Sequence, residues 1–168
     1  SFGFEALIIA DDNFYISPIA MDVIKAIKEE NLGLQIYISI PVTKAVNMQP
    51  EEFELLREAG IVTLGISVES GSNKMLKIMG KKHTVEMAIE VNRKLRQHDF
   101  ISNYNFIAGF PEEKVEDVKA TFEVMLTLLK ENSGASVNIK KLIPTPNTEV
   151  YRRCLSQGMQ EPPRLEFW

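Results

Sequence analysis

Two rhythms of apolar and polar residues alternate along the chain. Short apolar runs at residues 5–10, 34–40, 61–68, 101–108 and 136–142 have the length and β-branched content of strands. The run at 61–68 is almost continuously apolar, which predicts a parallel strand buried on both faces. Between the runs, apolar residues recur at helical spacing. Ser17-Pro18 is expected to start the first helix, with Ser as cap and Pro at the first helical position. Ala20, Val23, Ile24 and Ile27 then form its apolar stripe. Pro50 opens a helix carrying Phe53, Leu56 and Ala59 on one face, and Gly60 sits at its C-terminal glycine position. Helices are also expected over 73–79, from the cap Thr84 to about residue 97, over 112–131 and over 148–157. In the long helix 112–131, Val115, Val118, Phe122, Met125, Leu126 and Leu129 are expected to face inward.

The resulting order is β-α-β-α-β-α-α-β-α-β-α. Strict alternation implies a parallel sheet with right-handed crossovers. Five strands are too few for a closed eight-stranded barrel, so the fold is α/β, either a partial barrel or an open doubly wound sheet.

Parallel α/β folds place ligands at the C-terminal ends of their strands, so the strand exits are where chemistry is expected. The first exit reads Ala10-Asp11-Asp12-Asn13, two acids and an amide that suit a divalent metal, an ammonium group or an ordinary turn. The third reads Val68-Glu69-Ser70-Gly71-Ser72. A carboxylate after a buried strand suits a ribose hydroxyl, an ammonium or a metal, or acts as an anion for the next helix N-terminus. Gly109-Phe110-Pro111 allows close backbone approach to a flat ligand and equally makes a tight turn. Lys81-Lys82-His83 reads as a carboxylate holder or as a solvated basic turn, and His98 as structural. Neither a phosphate-binding loop nor a dinucleotide fingerprint occurs.

Composition narrows the classes. The chain has 168 residues, enough for one domain with a real core, at 45% hydrophobic and 25% charged content. A net charge of −4 gives no nucleic-acid signature. No apolar stretch approaches the roughly 20 residues of a membrane span. The single cysteine, Cys154, reads as a buried or half-buried thiol and suits a reducing cytoplasm. The chain opens almost directly on a strand and stops soon after Pro162-Pro163, so residues 1–168 are expected to be one domain cut from a longer protein.

Four ordered motifs carry a resemblance to a known family. They are Ala10-Asp11-Asp12-Asn13-Phe14; Leu56-Arg57-Glu58-Ala59-Gly60 followed by Gly65-Ile66-Ser67-Val68-Glu69-Ser70-Gly71-Ser72; Phe106-Ile107-Ala108-Gly109-Phe110-Pro111; and Leu142-Ile143-Pro144-Thr145-Pro146-Asn147-Thr148-Glu149-Val150-Tyr151. Together they resemble the radical S-adenosylmethionine superfamily. The match is to its cobalamin-binding branch and the related methylthiotransferases and Elp3-like proteins, and it extends to the anaerobic magnesium-protoporphyrin monomethyl ester cyclases. The resemblance implies a partial TIM-like (β/α)6 barrel of which this chain supplies the second to sixth strands. It implies S-adenosylmethionine as cofactor, cleaved at a four-iron four-sulfur cluster to start radical chemistry on a small-molecule substrate, with cobalamin as a further cofactor of the parent protein.

By the same resemblance Asp11, Asp12 and Asn13 meet the methionyl amine of the cofactor, and Glu69 and Ser70 its ribose or methionyl part. Lys81 meets the carboxylate, and Ile107, Gly109, Leu142 and Ile143 flank adenine. Two departures stand out. Glu112 occupies the position where the family carries glycine after Gly-x-Pro. The Cys-x3-Cys-x2-Cys cluster motif is absent, so the cluster ligands are expected outside this chain. Two other classes compete: a cluster-free barrel module binding a nucleotide-like ligand or a protein, and a metal-dependent hydrolase using Asp11, Asp12 and Glu69, which lacks histidines at ligand spacing. A bare sheet edge is also expected to favour dimerisation.

Overall fold

The computed structural model describes residues 3–11 and 14–161. Five strands, β1 (Ala6–Ile8), β2 (Gln35–Ser39), β3 (Ile61–Glu69), β4 (Ile101–Ala108) and β5 (Ala135–Lys141), form one sheet in sequential order with every neighbour parallel. Sequential parallel order requires crossovers of one hand, so the helices lie on one face and the sheet is an arc of a (β/α) barrel. The helices are α1 (Ala20–Glu30), α2 (Val42–Ala45), α3 (Pro50–Glu58), α4 (Asn73–Ile78), α5 (Val85–Gln97), α6 (Val115–Glu131) and α7 (Glu149–Ser156).

Local chemistry explains most boundaries. Pro50 is the first residue of α3, and Gln49 and Glu52 form a reciprocal capping box. Ser72, Thr84 and Thr148 each cap a helix through their hydroxyls, accepting from Met75, Met87 and Tyr151 backbone N–H groups. Gly60 takes the left-handed conformation that ends α3, at φ +81°.

The core lies between the sheet and its helices. Ile36, Ile38, Leu64, Ile66, Val68, Tyr104 and Phe106 point toward the helices and are buried. The opposite, concave face is polar. Register places Tyr37 beside Thr63, Ser39 beside Gly65, and Gly65 and Ser67 beside Asn103 and Asn105. Asn103 and Asn105 in turn lie beside Ser136 and Asn138. Under the sheet, Tyr104 Oη donates to Asn92 Oδ1 at 2.8 Å, and Asn132 Nδ2 donates to the same oxygen at 3.1 Å. This fully buried network ties β4 to α5 and to the end of α6.

Four expectations change. Strand β3 is not buried throughout: on the concave side Gly65 is buried and Thr63 partly so, but Ser67 is exposed, because that side has no helical layer. The first helix begins at Ala20 with Ile19 as its cap, since residues Phe14–Ile16 form a separate 3₁₀ turn and Ser17 bonds back into it. A short extra helix, α2, follows Pro41. The long helix is rotated relative to the expected phase and begins at Val115. Its buried stripe is Asp117, Thr121, Val124, Met125 and Leu128, while Val115, Phe122, Leu126 and Leu129 are exposed. The reason is polar: Asp117 and Thr121 turn inward to hold the loop after β3.

Candidate functional site

The exits of β2 and β3 enclose a cleft of about 550 Å³, lined by Ile16, Ser39, Ser67, Glu69, Lys81 and His83 among others. Its charged centre is an ion pair. Lys81 Nζ donates to Glu69 Oε1 at 2.8 Å, with the Glu69 side chain largely buried and that of Lys81 about one-third exposed. Among the described residues no three His, Cys, Asp or Glu side chains converge on a common point.

Glu69 is held in an unusual conformation. Its φ is +72°, and the Ser70 N–H donates to the Val68 carbonyl two residues back at 3.0 Å. That is a γ-turn centred on a non-glycine residue, a conformation worth roughly 1–3 kcal/mol of strain. The register with β4 pairs Ser67 with Asn105 and Glu69 with Phe106, skipping Val68. His83 fills the gap: its Nε2 lies 3.0 Å from the Val68 carbonyl oxygen. Burial pushes the His83 pKa down, opposed by that carbonyl, lowered further by Lys81 and opposed again by Glu69; the net direction is down.

The Ser70-Gly71-Ser72 segment is docked on α6. Gly71 N–H donates to Thr121 Oγ1 at 2.9 Å, and Ser70 Oγ sits 3.4 Å from the same oxygen. Ser72 Oγ–H donates to Asp117 Oδ1 at 2.7 Å, and the Lys114 backbone N–H donates to Asp117 Oδ2 at 3.0 Å. Lys74 completes the shell around Asp117. Burial raises the Asp117 pKa, but Lys74, the Lys114 N–H and Ser72 together outweigh it and hold the carboxyl at about 2.

The sign of the pH effect follows. A carboxyl whose folded pKa lies below its unfolded value stabilises the fold above the unfolded value, near 3.8, and loses that contribution as pH falls toward 2. The wild-type melting temperature is therefore expected to fall more steeply between pH 5 and pH 2.5 than that of Asp117→Asn. Parallel curves in a pH series of thermal melts would contradict this origin of the acid sensitivity.

Glu69 and Lys81 are thus brought together, and the basic loop is more than a solvated turn. Ser70 sits in the same turn, but its hydroxyl faces Thr121 and the Ser72 N–H rather than the cleft. Asp11 lies exposed after β1, its carbonyl accepting from Phe14 N–H at 3.2 Å, while Asp12 and Asn13 lie outside the described residues. Gly109, Leu142 and Ile143 line a second cavity of about 600 Å³ at the exits of β4 and β5, and Ile107 lies on the concave side of β4 beside Lys140. Gly109 has φ +99°, which a side chain would strain, and its N–H donates to Glu113 Oε2 at 2.6 Å. Cys154 lines this second cavity from α7, half-buried. Glu112 bonds Arg153 of α7 at 2.8 Å, so it pins that helix beside the β4 exit. His98 ends α5 and stacks on Phe53 with ring centroids 4.6 Å apart.

Residues 2–125 match the sequence model of the Radical SAM superfamily. The chain belongs to the radical SAM superfamily. Its relatives include the tRNA-2-methylthio-N(6)-dimethylallyladenosine synthase of Paracoccus denitrificans, 31% identical over 105 residues, which cover 61% of this chain and 23% of that enzyme. The chain therefore spans about a quarter of the length of that curated relative. Solved structures share its fold. The archaeal Methanocaldococcus infernus Elp3, lacking its N-terminus, superposes with TM-score 0.68 at 20% identity, covering 91% of this chain and 40% of that one. The methyltransferase TsrM from Kitasatospora setae, with cobalamin and a four-iron four-sulfur cluster bound, superposes with TM-score 0.65 at 16% identity, covering 80% and 27%. The partial-barrel reading of the radical SAM chain is thereby established. Within the described residues no helix is long and apolar enough to cross a membrane.

The sequence concealed two features of this cleft. His83 reads as part of a basic run, and only its burial under the β3 exit shows otherwise. Thr121 and Asp117 carried no motif at all; polar residues interrupting the apolar stripe of a long helix were the available signal.

Proposed function

We propose that this chain forms the S-adenosylmethionine-binding part of a radical enzyme acting on a small molecule in a reducing, cytoplasmic setting. The observation that carries the reading is the Glu69–Lys81 pair at the mouth of β3. It presents an anion and a cation 2.8 Å apart, which complements the ammonium and carboxylate of an amino-acid headgroup. A zwitterion entering the cleft exchanges one internal pair for two external ones.

The chain's own residues divide the work. Lys81 takes the carboxylate; Glu69 takes the ammonium or a ribose hydroxyl, and where it takes the ribose, Asp11, with Asp12 and Asn13 next to it in the sequence, receives the amine. Ile107, Gly109, Leu142 and Ile143 form the adenine side, where Gly109 lets the backbone approach a flat ring. Ser70 acts on this site through the turn it braces. S-adenosylmethionine, when bound, would supply the radical chemistry of the whole enzyme. The residues present do not fit an iron–sulfur cluster, since the chain holds one cysteine, on α7, and three or more thiolates are needed. Cluster ligands, and any cobalamin site, belong to other parts of the whole protein in this reading.

Glu69→Gly tests the proposal. Glycine relieves the left-handed backbone and removes the carboxylate. Thermal stability is expected to stay level or rise, while affinity for S-adenosylhomocysteine, read by titration calorimetry, falls at least about tenfold, the size of one lost charged contact. Unchanged affinity would sink the assignment of Glu69. A wild-type chain that binds neither S-adenosylhomocysteine nor S-adenosylmethionine would favour the cluster-free binding module.

A further inference from the structure

We propose that His83 is a positioning residue that aims Glu69 into the cleft by holding the Val68 carbonyl. The inference rests on the cofactor reading above for its functional consequence, but its structural content stands on separate observations.

Val68 is left without a partner residue in β4, because the β3–β4 register steps from Ser67 to Glu69. Its carbonyl oxygen is buried and must be satisfied. It accepts the Ser70 N–H at 3.0 Å and the His83 ring nitrogen, also at 3.0 Å. A carbonyl only accepts, so Nε2 carries the proton. The γ-turn bond alone is a weak, bent interaction that cannot hold a non-glycine residue at φ +72°. The second donor arrives from outside the turn and fixes the peptide plane that follows Val68, and that plane sets φ of Glu69.

The position of His83 in the chain strengthens the case. It is buried, at 8% exposure, although it follows two exposed lysines. Lys81 stands two residues earlier on the same loop, and its backbone N–H is anchored to the Leu76 carbonyl at 2.9 Å. One anchored segment therefore delivers two restraints to one residue: Lys81 grips the Glu69 carboxylate, and His83 grips the backbone just before it. The far side of the turn is already clamped to Thr121. Removing His83 frees the near side only. Glu69 then relaxes toward ordinary extended backbone, and its carboxylate leaves the line of the cleft while the fold persists.

The experiment compares His83→Leu with His83→Gln in the full chain. Glutamine retains a donor at similar reach, and leucine retains only bulk. Two readouts are taken, the exchange rate of the Ser70 amide by NMR and the dissociation constant for S-adenosylhomocysteine. In His83→Leu both are expected to rise about tenfold, the effect of one lost buried hydrogen bond, and His83→Gln is expected to restore both to within about threefold. A leucine variant with wild-type Ser70 protection and wild-type affinity overturns the proposal, and so does a folded glutamine variant as impaired as the leucine one. Should the leucine variant fail to fold, the glutamine variant decides alone by the same two readouts. Should the wild type not bind the ligand, the cofactor reading fails, while the Ser70 exchange rate still decides whether His83 holds the turn.

Discussion

Replacing Gly71 with alanine is expected to destabilise the protein by about 3 kcal/mol, in the range of severe overpacking against rigid backbone. A Cβ at this position would lie 2.4 Å from the Thr121 Cα and 2.5 Å from the Ala120 carbonyl oxygen. Both are backbone atoms of α6, so no rotamer change relieves the clash. Either α6 shifts or the turn lifts away. If the turn lifts, Gly71 N–H loses Thr121 Oγ1, and Ser72 loses Asp117. The contrast with Gly65 is instructive. A Cβ there meets the Tyr37 hydroxyl at 1.9 Å, but that is the end of a half-exposed side chain that can swing aside. Gly65→Ala is therefore expected to be milder than Gly71→Ala. Thermal or urea unfolding of the two variants checks the order, and equal stability would mean that α6 does not seat the turn as described. The functional reading makes the clash matter twice, because the segment that lifts also carries Glu69.

The legible parts of this protein are those fixed by local chemistry. The caps Thr84 and Thr148, Pro50 at the start of α3 and Gly60 at its end declare their elements from a few neighbouring residues. The strand exits were legible for the same reason, since Gly109-Phe110-Pro111 and Glu69-Ser70-Gly71-Ser72 interrupt strong apolar runs. Expectation and structure part where a residue's partner is distant in sequence. Asp117 and Thr121 face inward because Ser72 and Gly71, more than 40 residues away, need them. No helical periodicity contains that information, so the phase of α6 differs from the one its apolar spacing predicts. In β3 the small residues Thr63, Gly65 and Ser67 blend into an apolar run, although they line the open side of the sheet. Helix α2 is four residues long, too short for a periodic signal. The site was legible as a set of exits and illegible as a set of contacts: the sequence shows Lys81 and Glu69 but not that they touch.

The second large effect concerns the floor beneath the concave face. Asn92→Ala is expected to cost about 3 kcal/mol, because it strands the phenolic hydroxyl of a fully buried tyrosine. Asn92 accepts from Tyr104 Oη and Asn132 Nδ2 through one oxygen, and donates to the Leu128 carbonyl at 3.1 Å. Burial of Tyr104 raises its pKa, so the group remains a neutral donor that needs an acceptor. Tyr104→Phe removes that donor and leaves Asn92 still paired with Asn132. Its expected cost is about 1 kcal/mol, the net value of one hydrogen bond. The distinguishing result is the double variant. In a Tyr104→Phe background no phenol is left to strand, so Asn92→Ala should cost at least about 1 kcal/mol less than in the wild type. Additive losses would show that the asparagine acts through packing alone. The network matters to the site because β4 alternates. Ser102 and Tyr104 reach down to Asn132 and Asn92, while Asn103 rises on the concave face beside Gly65 and Ser136, and Asn105 beside Ser67 and Asn138. Anchoring one side of the strand fixes the register of the other, and with it the wall that any ligand in the arc of the barrel must meet.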